Sequence, residues 1–137
     1  MNNLFVYGSL KQDGPNHFLL RGEQNIFFGQ ARTVNPDFSL LSLGKFPAMV
    51  EGDHFVSGEL YQIDQSTEQR IDRLEQGLYV KILLPVEITG ADGRVFLAHT
   101  YLWDHTIPIN PVEDPSRIFV DEETNTVHWQ NDTDQFN

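Results

Sequence analysis

Asn3-Leu4-Phe5-Val6-Tyr7-Gly8-Ser9-Leu10 is the stretch from which the fold is read. An apolar run ends in an aromatic, then a glycine, a hydroxyl residue and a return to apolar. Such a run, closed by glycine, spells a buried strand entering a tight loop, where Gly8 has access to backbone angles that other residues avoid. Main-chain N–H groups turned outward at the end of such a strand can form an anion-binding nest. The stretch lacks the spaced glycines of a dinucleotide site and the Gly-Lys-Ser/Thr of a phosphate loop. It also lacks the G-x-S-x-G of a nucleophile elbow, which argues against Ser9 as a nucleophile.

Working outward, His17 to Arg21 reads as a short helix stopped by Gly22, and residues 25–34 as one strand bent or bulged near Gly29. Phe55 to Ile63 has strong strand character, with a bend expected at Gly58. Residues 64–77 break the β pattern. Ser66 with Gln69 three residues on fits a capping box, Gly77 suits the left-handed position past a helix end, and Ile71 with Leu74 gives one apolar edge. Leu78 to Thr89 and Arg94 to Trp103, turned by Gly90-Ala91-Asp92-Gly93, form the clearest hairpin. Residues 117–120 and 126–129 form a smaller one. Many strands with few, short helices predict an α+β chain, a closed or nearly closed mixed β-structure with small helices at its rim.

The 137 residues suit one domain with a proper core, and an apolar content of 39% with 10 phenylalanines supports a packed interior. With no cysteine in the chain, disulfides, thiolate nucleophiles and thiolate metal sites are excluded. The net charge of −11 argues against nucleic acid or an anionic membrane as partner. Residues 1–103 carry 12 acidic and 8 basic side chains, whereas residues 104–137 carry 8 acidic side chains and Arg117 as the one base. The excess therefore sits in a C-terminal extension, expected to pack on the same domain as solvated acidic surface. No basic n-region, long apolar h-region or membrane-length apolar run is present in these residues, so a cytoplasmic protein is expected. The five histidines show no i, i+4 pair, and no metal site is predicted.

Glu75 is the residue with chemical promise. It follows Ile71 by one helical turn, so its side chain projects over a face that also carries a core residue. It lies in the last helical turn, where the helix dipole disfavours a carboxylate. Partial burial and the dipole both push its pKa upward, toward the range useful for proton transfer, and the neighbouring Asp72 could add to the shift.

Leu4 to Leu10, Phe46-Pro47-Ala48, Val56-Ser57-Gly58-Glu59-Leu60-Tyr61, Ile71-Asp72-Arg73-Leu74-Glu75, Leu78-Tyr79 with its strand to Val86, and the strand ending in Tyr101 occur in that order over residues 3–103. Together they resemble the γ-glutamylcyclotransferase family, in its branch of small AIG2-like domains. The resemblance implies a domain over residues 1–103, with 104–137 as the extension, built as a small β-barrel with a cavity at one end. It further implies a reaction in which the α-amine of a γ-glutamyl compound attacks its own γ-carbonyl, giving 5-oxoproline and a free amine. Glu75 would be the general acid and base. Gly8, Ser9 and Leu10 would hold charge with their amides, and Tyr7, Tyr79 and Tyr101 would orient the substrate. No cofactor or metal is implied, and the partner is a small γ-glutamyl molecule. Lys81 departs from the family, whose members often carry arginine there, and a catalytically inactive binding module of the same fold is the alternative.

Overall fold

The computed structural model describes residues 1–90, 93–113 and 116–131. Its strands are β1 (Asn2–Val6), β2 (Ile26–Thr33), β3 (Phe38–Ser42), β4 (Pro47–Glu51), β5 (Phe55–Ile63), β6 (Tyr79–Ile88), β7 (Val95–Trp103), β8 (Ile118–Asp121) and β9 (Thr126–Trp129). The helix α1 (Gln65–Glu75) separates β5 from β6, and a single 3₁₀ turn covers His17–Leu20.

Five strands close into a barrel in the order β1-β7-β6-β2-β5, with β1 returning to pair with β5. The pairs are antiparallel except β1 with β7, which run parallel and meet at Leu4 and His99. Closure removes the unpaired edges that an open sheet of this size would present. β1 is buried on both faces, which is why it reads as a continuous apolar run. Phe5 and Tyr7 belong to the barrel core, whereas Leu4 and Val6 join a second cluster with Ile71 of α1, Tyr61 and Tyr101. The helix thus sits on the outside of the barrel and covers the outer face of β1.

Several local expectations meet the structure at these elements. The β2 register shifts between Phe27 and Gly29, the bulge read from the sequence. Gly58 does not bend β5; the strand runs through it, paired with Ala31, and a side chain there would meet the Val6 carbonyl at 2.2 Å. The helix cap is Asp64, not Ser66. The Asp64 side chain accepts the Thr67 N–H at 2.8 Å, while Thr67 itself is buried with its Oγ1 held by Asn25. Because β5 ends at Ile63, the chain needs its cap immediately, two residues earlier than the capping-box pattern places it. Of the apolar edge of the helix, Ile71 is fully buried and Leu74 stands 45% exposed. In the turn between β6 and β7, Ala91 and Asp92 lie outside the described residues.

β8 and β9 form the small antiparallel hairpin, and β9 runs parallel to β5 at Phe55 and Val56. It continues the edge of β5 that β1 leaves at Val6. Val127 and Trp129 enter the barrel core at 1% exposure each. Among the described residues, no helix is long and apolar enough to cross a membrane, and no group of three or more His, Asp or Glu is placed to hold a metal ion.

Candidate active site

A cavity of about 300 Å³ opens where β1 runs out. One wall is the loop of Gly8, Ser9 and Leu10; a second is Phe46 and Pro47 at the start of β4. A third comes from the end of α1, with Leu74, Glu75 and Leu78, and Tyr79 and Tyr101 supply the floor from β6 and β7. All seven residues singled out in the sequence, Tyr7, Gly8, Ser9, Leu10, Glu75, Tyr79 and Tyr101, therefore line one space.

Gly8 is required for a different reason from the one its position suggests. Its backbone is not in the left-handed region. Instead the Pro47 ring lies against it, and a Cβ would meet Pro47 Cγ and Cδ at 2.8 Å. The glycine lets the two walls of the cavity close on each other. Gly77, by contrast, has φ of 92°, the left-handed conformation past the helix end. It turns the chain sharply into β6 directly after Glu75.

The loop is held through its carbonyls. Gly8 O accepts from Lys11 N at 3.1 Å and from Asn131 Nδ2 at 3.0 Å; Ser9 O accepts from Asn16 N at 2.9 Å; Leu10 O faces His17 Nδ1 at 3.0 Å. Among the described residues, the N–H groups of Gly8, Ser9 and Leu10 have no recorded acceptor. Backbone donors seldom go unpaired beside a protein interior unless something else is there to accept them. The Ser9 hydroxyl accepts from Asn16 Nδ2 at 2.9 Å, and no histidine is hydrogen-bonded to it.

The three tyrosine hydroxyls are committed to the frame. Tyr7 donates to Tyr101 O at 2.6 Å and accepts the Met49 N–H at 3.3 Å; Tyr79 donates to Pro47 O at 2.9 Å; Tyr101 donates to Asp72 Oδ1 at 2.6 Å. Burial pushes all three phenols up, so each stays a protonated donor. They line the cavity with their hydroxyl protons already engaged.

Glu75 is half-buried and makes no hydrogen bond among the described residues. Burial alone lifts its carboxyl from the ordinary 4.5 to about 7. Asp72, expected to contribute, is occupied elsewhere: it receives the Tyr101 hydroxyl and lies 3.1 Å from Lys81 Nζ. Lys81 also pairs with Glu68 at 2.7 Å, which ties β6 to α1 and fixes the helix whose last residue is Glu75. Lys81 lines a second, more polar hollow of about 340 Å³ behind Glu75, and not the cavity of the loop.

Other contributors escaped the sequence reading. Pro47 stands in a quoted motif, but its contacts with Gly8 and Tyr79 are long-range. Glu59, 5% exposed, accepts Gln12 N at 2.9 Å and the Tyr61 hydroxyl at 3.0 Å, pinning the loop to β5. A glutamate inside an alternating strand carried the signal; its partners did not.

A carboxyl near neutrality and unpaired amides of the loop line the same cavity, a combination that can move a proton and hold an anion. The family model for gamma-glutamyl cyclotransferase, AIG2-like, matches residues 4–125. The gamma-glutamylcyclotransferase family protein ytfP of Citrobacter rodentium is 36% identical over 88 residues, 59% of this chain and 69% of that protein. Gamma-glutamylaminecyclotransferase B of Danio rerio is 32% identical over 113 residues, 75% of this chain and 59% of that one. The chain spans about six tenths of the length of the first curated relatives it matches. In fold it is similar to the crystal structure of a mouse AIG2-like protein, with a TM-score of 0.66 over 83% of this chain and 98% of that chain, at 24% identity. By sequence model, relatives and barrel together, the chain belongs to the AIG2-like γ-glutamyl cyclotransferase family.

Proposed function

We propose that this protein converts a γ-glutamyl amide to 5-oxoproline and a free amine, with Glu75 as the group that moves the protons. The observation carrying this reading is a half-buried, unpaired carboxyl with a pKa of about 7, sharing a cavity with unpaired amides of the Gly8-Ser9-Leu10 loop.

The substrate α-amine is an ammonium at neutral pH and cannot attack until a proton is taken from it. Glu75 as carboxylate takes that proton. The amine nitrogen then forms a bond to the γ-carbon, whose carbonyl oxygen becomes the oxyanion of a tetrahedral adduct. Collapse breaks the bond from the γ-carbon to the leaving nitrogen, which receives the proton from Glu75. The ring nitrogen gives up a second proton by the same route, so the leaving amine departs as its ammonium and Glu75 ends as it began. No external reagent is consumed. Nucleophile and electrophile share one molecule, so the main demand on the protein is to fold the substrate into a near-attack shape. Close walls of Pro47, Tyr79 and Tyr101 suit that demand.

A volume of about 300 Å³ is at the small end for a ligand site. The γ-glutamyl unit fills it, and the substituent on the leaving nitrogen lies across a mouth edged by Phe46, Leu74 and Leu78, exposed by 38, 45 and 40%. That mouth favours an apolar substituent. The binding-module alternative drew on Lys81 and on the acidic extension; the Lys81 ammonium is engaged with Glu68 and Asp72 and is not among the residues lining the cavity. Incubation with a panel of γ-glutamyl amides, followed by mass spectrometry for 5-oxoproline, tests the proposal. Saturable binding across the panel without any 5-oxoproline would overturn it.

A further inference from the structure

We propose that Asn131 is a positioning residue for this site: it holds the Gly8 carbonyl and so aims the Ser9 N–H at the α-carboxylate of a bound γ-glutamyl group. The proposal rests on the γ-glutamyl reading of the cavity. Asn131 lies beyond the family match, which ends at residue 125, and it is 2% exposed.

Every polar atom of its side chain is used. Nδ2 donates to Gly8 O at 3.0 Å and to Asp13 Oδ1 at 2.8 Å, and Oδ1 accepts from Trp129 Nε1 at 3.1 Å. The Asn131 main-chain N–H reaches Asp13 Oδ2 at 3.4 Å. Trp129, 1% exposed, is fixed in the barrel core, so the asparagine hangs from a rigid element. Lys11 Nζ on Trp129 O, at 2.5 Å, makes a second stitch between the C-terminal hairpin and the loop.

The geometry of the peptide turns this anchorage into a statement about the site. In a planar trans peptide the C=O and N–H of one unit point in opposite directions. Asn131 and Lys11 N draw the Gly8 carbonyl to one side, so the Ser9 N–H points to the other. Asn16 N holds the Ser9 carbonyl likewise, so the Leu10 N–H points away from Asn16. Both residues line the cavity, and neither N–H has a recorded acceptor among the described residues. Two adjacent outward amides make a nest for an anion. The α-carboxylate is the anionic part of a γ-glutamyl compound, and charge-assisted bonds to it are the strong kind. Without Asn131 the Gly8–Ser9 peptide keeps only the turn bond from Lys11 and is free to rotate its N–H out of line.

The test uses 5-oxoproline and 2-pyrrolidinone, which share the lactam ring and differ by the carboxylate. Calorimetry on the full chain is expected to give tighter binding of 5-oxoproline, and Asn131→Ala is expected to lose about tenfold of that preference. Asn131→Gln keeps the amide but displaces it by one methylene. It serves as the second variant should the alanine fail to fold, and its loss is in the same direction. A mere loosening of the fold weakens both ligands and leaves their ratio alone; an unchanged ratio in a folded variant overturns the proposal. So does a wild-type protein with no preference for 5-oxoproline. Failure to release 5-oxoproline from any γ-glutamyl amide is a separate result, which removes the catalytic reading while the binding ratio still judges Asn131.

Discussion

Replacing Glu75 with glutamine is expected to inactivate the protein and, at alkaline pH, to stabilise it. Burial lifts the Glu75 carboxyl from 4.5 to about 7 in the fold, while in the unfolded chain it titrates near the ordinary value. The native state therefore binds this proton more tightly than the unfolded state. The stability linked to it is present in full below about pH 4.5 and is lost as pH rises through about 7. A shift of that size corresponds to about 3 kcal/mol at most, and the partial exposure of the side chain reduces it to about 1–2 kcal/mol. Glutamine keeps the shape and cannot ionise. Urea midpoints should then show Glu75→Gln more stable than the wild type by about 1–2 kcal/mol at pH 8 and indistinguishable from it at pH 4. The same variant should lose roughly 10²–10⁴-fold in 5-oxoproline formation, the usual contribution of general acid–base catalysis. The wild-type rate should climb through about pH 7 as the carboxylate forms. Undiminished turnover in the variant would refute the role of Glu75, and an equal stability difference at both pH values would refute the argument from burial.

Gly8→Ala forces a methyl group to within 2.8 Å of the Pro47 ring. Separation of those walls should cost about 1–3 kcal/mol in urea melts and disturb the Tyr79 bond to Pro47 O, seen as lost turnover. Lys81→Met leaves Glu68 and Asp72 facing each other without a cation. It should lower stability by about 1–2 kcal/mol with the cavity of the loop intact, read by comparing melting with 5-oxoproline binding. Across a series of γ-glutamyl alkylamides, kcat/KM should rise by up to about threefold per methylene as the chain covers Phe46, Leu74 and Leu78. Leu78→Ser should flatten that slope, and a flat slope in the wild type would remove the rim from specificity.

Much of the fold was legible because it is written in local patterns. The apolar run of β1, the long hairpin of β6 and β7, the isolated helix and the bulge near Gly29 each follow from spacing and turn residues within a dozen positions. The errors share one cause. Ser66 was read as the cap because it begins a pattern along the chain, while the actual cap is fixed by where β5 ends and by Thr67 being drawn into the core. Leu74 shares the apolar edge of the helix with Ile71, yet Ile71 is buried and Leu74 is open beside the cavity. Gly58 looked like a bend because nothing local reveals that β1 passes within 2.2 Å of where its side chain would be.

The site divides along the same line. The sequence by itself determined a strand that ends in glycine and a carboxylate at a helix end, because both depend on residues adjacent in the chain. It also determined a family likeness from motifs in order. Only the tertiary structure decided how those residues are arranged and what they touch. Gly8 is small because Pro47 packs on it from 39 positions away, the tyrosines are frame because their acceptors lie on other strands or on the helix, and Asp72 is engaged by Lys81 and Tyr101. The Gly8 carbonyl is held by Asn131, 123 residues distant. Barrel closure brings these together, and no periodicity within a strand or a helix records which strands will meet.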